Sequence, residues 1–474
     1  MKIPSKKTKV ICTIGPASQE QSVLERLILA GMNVARINFA HGDFAAHERA
    51  IANIREAEAA TGRRVAIMGD LPGPKMRIGD LVSEPVELVR DQPFVLQTTP
   101  IVGDSSRVFL DFPTLPRVVK PDDAIFLDDG YIQLKVVRST DTEVHCIVAA
   151  GGELRSHKGV NFPGIDLGIS AFTDEDREFL TFAAQQRLDS VSQSFVQDQK
   201  DIEAVRAAAN ALNYHPFIIA KLERGAALEH LDAILQSADG IMVARGDLGV
   251  EIPIEEIAIK QKAIIRAANR YGKPVITATH MLESMIHNPR PTRAEATDVA
   301  NAILDGTDCV MLSGETAIGE YAEEAVATMA RIAQVTEAQR VADEAIEALM
   351  SQTINHHDLS VENRTALSVY HTALELEPKI IFTPTVTGAT ARRLARFKLA
   401  TRIVAFSINE STCQQLHFSY AVEPVHVLTF AEPWDSYARQ WCQTAGIYEG
   451  LALLTEGTSQ VRSGGTTRIS ILYL

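Results

Sequence analysis

PFIIAKLERGAALEHLDAILQSADGIMVARGD, residues 216–247, holds two short apolar runs, PFIIAKLE (216–223) and GIMVARGD (240–247), each ending in polar and charged residues. Six more stretches share that texture: VICTIGP (10–16), VARINF (34–39), VAIMGDL (65–71), SVSQSFV (190–196), PVITATH (274–280) and DCVMLSG (308–314). Between most of them lie Ala/Leu/Glu-rich stretches of helical period, such as SVLERLILAG (22–31), AAHERAIANIREAEAA (45–60) and DIEAVRAAANAL (201–212). Short apolar strands alternating with helices predict βαβ units and a parallel sheet. Eight repeats favour a closed (β/α)8 TIM barrel, with an open doubly wound sheet as the alternative.

The repeat breaks once. Residues 80–162 carry short alternating runs, among them PFVLQTT, AIFLDD, YIQLKVV and EVHCIVA, and predict a small inserted β domain with tight turns. Without it, 1–79 and 163–340 together come close to the ~250 residues typical of such a barrel. Behind a polar stretch around 352–363 (QTINHHDLSVEN), strand and helix patterns alternate again, and 341–474 reads as a separate C-terminal α/β domain.

The chain has 474 residues, past the ~250–300 at which one core stops growing. Charged residues make up 22% with a net charge of −14, which argues against a general nucleic-acid binder, because such binding needs Lys and Arg to neutralise phosphates. Five scattered cysteines have no metal-ligand spacing and fit a reducing compartment. The N-terminal stretch has no apolar signal region, and no run of ~18 apolar residues suggests a membrane span. The expectation is a soluble, cytoplasmic, multidomain protein, in which the charge balance does not forbid a small basic pocket for a phosphorylated metabolite.

In a barrel the reactive groups sit where strands run out into their C-terminal loops. Those ends carry Arg36 and Asn38, Asp70, Ser194, Lys221 and Glu223, Asp247, Thr279, and Ser313. A single Lys or Asp at such a position is more often a solvated loop residue; their convergence argues for a site. Glu223 and Asp247 are hard oxygen ligands suited to Mg2+ or Mn2+. With Lys221 and Arg36 beside them they form the kind of clamp that stabilises charge on a transferring phosphoryl group. Residue chemistry alone stops at metal-assisted chemistry on an anionic substrate.

Longer motifs add to this. DGIMVARGDLGVEIP (239–253) and PVITATHMLESMIHNPRPTRAEATDVANAILDGTDCVMLSGETAIGEYAEEAV (274–326) closely resemble the pyruvate kinase family. So do CTIGPAS (12–18), NVARINFAHGD (33–43), DDGYIQLKV (128–136), KGVNFPG (158–164) and SFVQ (194–197). The resemblance implies transfer of the phosphoryl group of phosphoenolpyruvate to ADP, giving pyruvate and ATP in glycolysis, on a barrel with an inserted small β-barrel lid domain (80–162) and a C-terminal regulatory domain. It matches Lys221 to the lysine at the phosphoryl group, Arg36 to the phosphate-gripping arginine, and Glu223 and Asp247 to the divalent-metal ligands. Gly246 and Asp247 would hold the substrate carboxylate, with Thr279 beside it, and Arg77, Lys158, Asn38 and His41 would meet the nucleotide. The donor that protonates the enol stays unassigned, and a homotetramer is implied.

The sequence also departs from the family pattern. K+-dependent members take ligands from the Asn and Ser of an NFSH-like motif and the Asp and Thr of a DTKGPE-like motif. Asn38 and Asp70 are kept, but Ala40 and Leu71 replace the two hydroxyls and Lys75 stands in place of the glutamate. An ammonium at Lys75 could supply the positive charge otherwise given by K+, so K+ is expected not to be required. His280 replaces the usual Gln after TAT, and Arg224 follows Glu223 where Asn is common, with no role assigned. In TVTGATARR (385–393), Thr385, Thr387, Gly388 and Thr390 are candidates for a phosphorylated effector, with SGGTT (463–467) closing over them; a structural helix cap is the competing reading. Two other functions suit the same barrel: a Mg2+-dependent 2-oxo acid lyase, which has no need of Lys221 or Lys158, and a non-catalytic metabolite sensor.

Overall fold

The computed structural model describes residues 5–340, 360–429, 433–457 and 466–474. Eight parallel strands close into a ring: β1 (Lys9–Ile14), β2 (Val34–Asn38), β3 (Ala66–Leu71), β4 (Ser190–Gln193), β5 (Phe217–Leu222), β6 (Gly240–Ala244), β7 (Val275–Ala278) and β8 (Cys309–Leu312). Closure is direct, since Lys9 to Cys12 of β1 pair with Cys309 to Leu312 of β8. The open-sheet alternative is thereby removed. β1, β3 and β5 are buried along their whole length, which is why they read as unbroken apolar runs rather than alternating ones.

The strands stop earlier than the apolar runs suggest. The run at 240–247 ends as strand at Ala244, and Arg245–Glu251 coils into a short helix. Arg245 anchors that turn: its guanidinium donates to the Thr279 carbonyl at 2.7 Å and to Asp298 at 2.8 Å. Gly246 and Asp247 therefore lie in a helical first turn facing the end of β7. At the end of β1, Gly15 passes so close to the helix Gly314–Ala317 that an added Cβ would stand 2.6 Å from the Ala317 carbonyl oxygen. Gly15→Ala is expected to cost about 1–3 kcal/mol, read as a lower urea midpoint; an unchanged midpoint would show that this contact can relax.

Between β3 and β4, six strands form one sheet in the order Val160–Asn161, Ala124–Leu127, Ile132–Ser139, Glu143–Ala150, Pro93–Gln97 and Arg107–Phe109. Their inner faces supply a separate apolar cluster that includes Phe94, Leu96, Leu127, Leu134 and Val148. The chain enters and leaves this unit side by side, with Arg77 bridged to Gly159 and the Ile78 N–H donating to the Lys158 carbonyl at 3.0 Å.

A second sheet follows the barrel. β9 (Ile380–Pro384), β10 (Arg402–Ser407), β11 (Val422–His426), β12 (Leu451–Gly457) and β13 (Thr466–Tyr473) lie in the order β11-β10-β9-β12-β13, with only β13 antiparallel. The polar stretch expected around 352–363 falls mostly outside the described residues. Its last part is helix instead: Ser360 caps Val361–Leu376 by accepting from the Asn363 N–H. Residues 463–465 of SGGTT are also outside the described set.

The barrel interior is packed with Ile11, Val34, Met68, Ile219, Met242, Ile276 and Met311, and it is completed by Phe418 from the C-terminal domain. Phe418 stacks on Phe217 with ring centroids 5.5 Å apart, and its carbonyl accepts from the Cys309 thiol. At the same end Lys398 pairs with Asp308, both almost wholly buried, and Lys9 Nζ donates to the Val422 carbonyl at 2.6 Å. All five cysteines are buried and free. Among the described residues no helix is long and apolar enough to cross a membrane.

Candidate active site

The site is organised around Asp70, at the C-terminal end of β3. Its Oδ2 accepts from Arg36 Nε at 2.9 Å and Nη2 at 2.5 Å, and from Lys221 Nζ at 3.3 Å. Its Oδ1 accepts from Ser192 Oγ at 2.6 Å. Burial alone would raise the Asp70 carboxyl, but the charges of Lys221 and Arg36, with the Ser192 hydroxyl, outweigh it and hold the group below the usual carboxylate range. Arg36 is fixed from its other side by donating to Thr13 Oγ1 at 2.9 Å.

Lys221 lies deeper. Its Nζ donates to Ser194 Oγ at 2.7 Å and stands 2.9 Å from Glu223 Oε1. Burial would favour losing the ammonium proton; Asp70 and Glu223 oppose this and raise its pKa above the ordinary lysine value. Lys221 therefore stays a fixed cation. Glu223 is held at its second oxygen by the Phe195 N–H, 2.7 Å away, and its carboxyl is pushed up by burial and by neighbouring Asp247, against the pull of Lys221.

Arg36, Asp70, Ser194, Lys221 and Glu223 line a cavity of about 300 Å3 together with Asn38, His41, Lys75, Arg77, Asp247, Thr279 and Ser313. All nine strand-end candidates thus come together at one mouth of the barrel. Lys75 is an exposed lysine on the cavity wall, with its Nζ 3.3 Å from Asp247 Oδ1. Gly246 sits just behind, and its N–H donates to Thr279 Oγ1 at 2.7 Å, while that hydroxyl donates to the Ala278 carbonyl. Thr279 and His280 both have left-handed backbones, with φ of 68° and 51°. Lys158 stands apart from this lining, two residues before the returning strand of the inserted unit, paired with Asp128 at 2.8 Å.

Among the described residues no group of three or more His, Cys, Asp or Glu side chains gathers as a metal cage. The donor set is different: two carboxylates, Glu223 and Asp247, are close enough for one to raise the pKa of the other. That suits a hard divalent cation, which takes one or two carboxylates and completes its shell with water and substrate oxygens.

Sequence reasoning passed over Thr13, Ser192 and Arg245, which hold Arg36, Asp70 and the 245–251 turn. Ser192 could have been found, since SVSQSF spaces serines two apart and so aims them to one side. Glu315 was also missed; its carboxylate accepts from the Leu282 and Ser313 N–H groups at 3.0 and 2.7 Å and ties β8 to the segment after β7. In the distal loop, Thr385 Oγ1 accepts from the Gly388 N–H and Thr390 is bonded to Thr466, while Thr387 is exposed.

Comparison with known proteins decides the family. The model for the pyruvate kinase barrel domain matches residues 5–326, and that for the pyruvate kinase alpha/beta domain matches 363–472. The chain belongs to the pyruvate kinase family. A pyruvate kinase of Thermococcus litoralis is 46% identical over 90% of this chain and 89% of its own length. One from Geobacillus stearothermophilus is 42% identical over 98% and 80%. The crystal structure of a pyruvate kinase from Cryptosporidium parvum superposes with a TM-score of 0.92 at 34% identity, covering 99% of this chain and 96% of that one. Pyruvate kinase membership makes the protein a phosphotransferase, and the lyase and sensor readings give way to it.

Proposed function

We propose that this chain transfers the phosphoryl group of phosphoenolpyruvate to ADP, and that the enolpyruvate left behind is protonated to pyruvate. The observation that carries this reading is the buried ammonium of Lys221, fixed by Ser194, Glu223 and Asp70 at the floor of the cavity. A preorganised cation stabilises charge spread over the equatorial oxygens of a transferring phosphoryl group without reorganising at the moment of reaction. Arg36, held in place by Asp70 and Thr13, grips the same phosphate from the side. Mg2+ or Mn2+, held by Glu223 and Asp247, supplies charge neutralisation at the substrate oxygens when bound. Gly246 and Asp247 receive the substrate carboxylate, for which the Thr279 hydroxyl has to yield the Gly246 N–H. Asn38, His41 and Arg77 meet the nucleotide from the cavity wall, and Lys158 joins them by exchanging Asp128 for a nucleotide phosphate.

In this reading Lys75 takes the place of a monovalent cation, which its position beside Asp247 supports. One coupled assay tests both parts. Pyruvate release is expected to require phosphoenolpyruvate, ADP and Mg2+ together, and to proceed at full rate in K+-free buffer. Release without ADP would overturn the transfer reaction; near-total loss of rate without K+ would overturn the role of Lys75.

The organisation that goes with this function is a catalytic barrel of 1–79 and 163–340, a lid of 80–162 and a regulatory domain of 341–474, assembled as a cytoplasmic homotetramer. A phosphorylated effector would meet the loop at Thr385, Thr387, Gly388 and Thr390. Because the Thr385 and Thr390 hydroxyls already have partners within the fold, the loop backbone and Thr387 are the groups it offers.

A further inference from the structure

Next to the catalytic cavity lies a larger one of about 710 Å3, between the barrel rim and the strand returning from the inserted unit. Phe195 lines both cavities. On the catalytic side its N–H donates to Glu223 Oε2 at 2.7 Å. This N–H points at Glu223 from a left-handed backbone, with φ of 56° at a bulky aromatic residue. Such a conformation is strained and persists only where the surroundings hold it.

What holds it is visible from the second cavity. The Arg224 guanidinium lies over the Phe195 ring, 5.6 Å from its centroid. Glu251 lines the same cavity as Arg224, and its negative charge acts on the guanidinium. Glu251 ends the short helix that begins with Arg245, Gly246 and Asp247. Its carboxylate faces the N–H groups of Gly225, one residue beyond Arg224, and of Phe162, on the return from the inserted unit. Val250 of this same helix lies beside Gly130 at a turn of the inserted unit, where an added Cβ would stand 3.4 Å from its side chain.

We infer that Arg224 and Glu251 form a clasp that positions Glu223 through Phe195 and couples the metal-binding carboxylate to the hinge of the inserted unit. The inference rests on Glu223 being a metal ligand, as proposed above. Glu223 is gripped at one oxygen by Lys221, which belongs to the reaction, and at the other by a backbone N–H whose aim depends on Arg224. Neither clasp residue touches the reacting groups; both are positioning residues. Metal ligands oriented by outer partners lose affinity when those partners go, typically by 10–100-fold.

The test uses the full chain and Mn2+ alone, titrated by electron paramagnetic resonance without substrates. Arg224→Ala is expected to weaken Mn2+ binding by about tenfold and to raise the Mg2+ concentration for half-maximal rate by a similar factor. Glu251→Gln should shift both in the same direction. Arg224→Lys, whose ammonium can still sit over the ring face, should recover part of the loss. Circular dichroism establishes that each variant is folded, and if Arg224→Ala fails to fold, the comparison of Arg224→Lys with Arg224→Gln carries the test. Unchanged Mn2+ affinity in the Arg224 variants, alongside weakened binding in Glu223→Gln, would overturn the clasp and leave the site intact. Unchanged affinity in Glu223→Gln would overturn the metal assignment and the clasp with it.

Discussion

Lys221→Ala is expected to lower kcat by about 10²–10³-fold, with a far smaller change in KM for phosphoenolpyruvate. The size follows from what the side chain does. Lys221 is enclosed by Ser194, Asp70 and Glu223 and keeps its charge against burial. Removing one fixed donor from where charge develops in a transition state costs that range in kcat, because water entering the gap has to reorganise with each turnover. Lys221→Arg should not restore the rate: a planar guanidinium has the charge but cannot occupy the space of a compact ammonium between three oxygen atoms. The alanine variant also leaves Asp70 and Glu223 short of a cation, so its thermal midpoint should fall. The rate is therefore to be measured well below that midpoint, in the ADP- and Mg2+-dependent pyruvate assay. A rate near that of the unmodified protein would remove Lys221 from the mechanism.

The second large effect concerns stability. Lys398 and Asp308 form an ion pair across the junction of the barrel and the C-terminal domain, with side chains only 1% and 3% exposed. Asp308 also accepts from the Tyr420 N–H at 2.9 Å and the Val275 N–H at 3.1 Å, so three parts of the chain converge on one carboxylate. Lys398→Met is expected to cost about 3–5 kcal/mol, since deleting one partner strands the other charge away from water. Asp308→Asn combined with Lys398→Met should recover part of that loss, because no unpaired charge then remains. Calorimetry checks both. The single variant should melt earlier, with the C-terminal domain separating as its own transition rather than unfolding with the barrel. A thermal midpoint equal to that of the unmodified protein would mean that the pair contributes nothing to the junction.

The barrel and the polar cluster at its rim were legible because both are written locally. A strand buried on two faces has to be an unbroken apolar run, and a group used at its end has to follow that run at once, as Lys221 and Glu223 follow PFIIA. What stayed hidden depends on distance through space. Thr13 steadies Arg36 from the neighbouring strand, Ser192 reaches Asp70 from across the β3–β4 pair, and Arg245 grips carbonyls after β7. None carries a spacing that singles it out. The overrun at 240–247 has a similar cause: the polar end of an apolar run does not say whether the chain continues extended or coils, and here the anchoring of Arg245 across β7 decides it. Arg224 had no role from sequence because its partner, the Phe195 ring, is nearly thirty positions away.

The ring of Phe418 in the barrel interior bears on how the molecule is made. A ribosome delivers the eight barrel strands long before it delivers residue 418, so the emerging barrel waits with the face of Phe217 uncovered and the interior around Ile219 and Met242 unfinished. Exposed apolar surface of this kind is where chaperones bind and where half-made chains stick to one another. The last step in completing the catalytic unit thus belongs to a part of the chain that carries none of its chemistry.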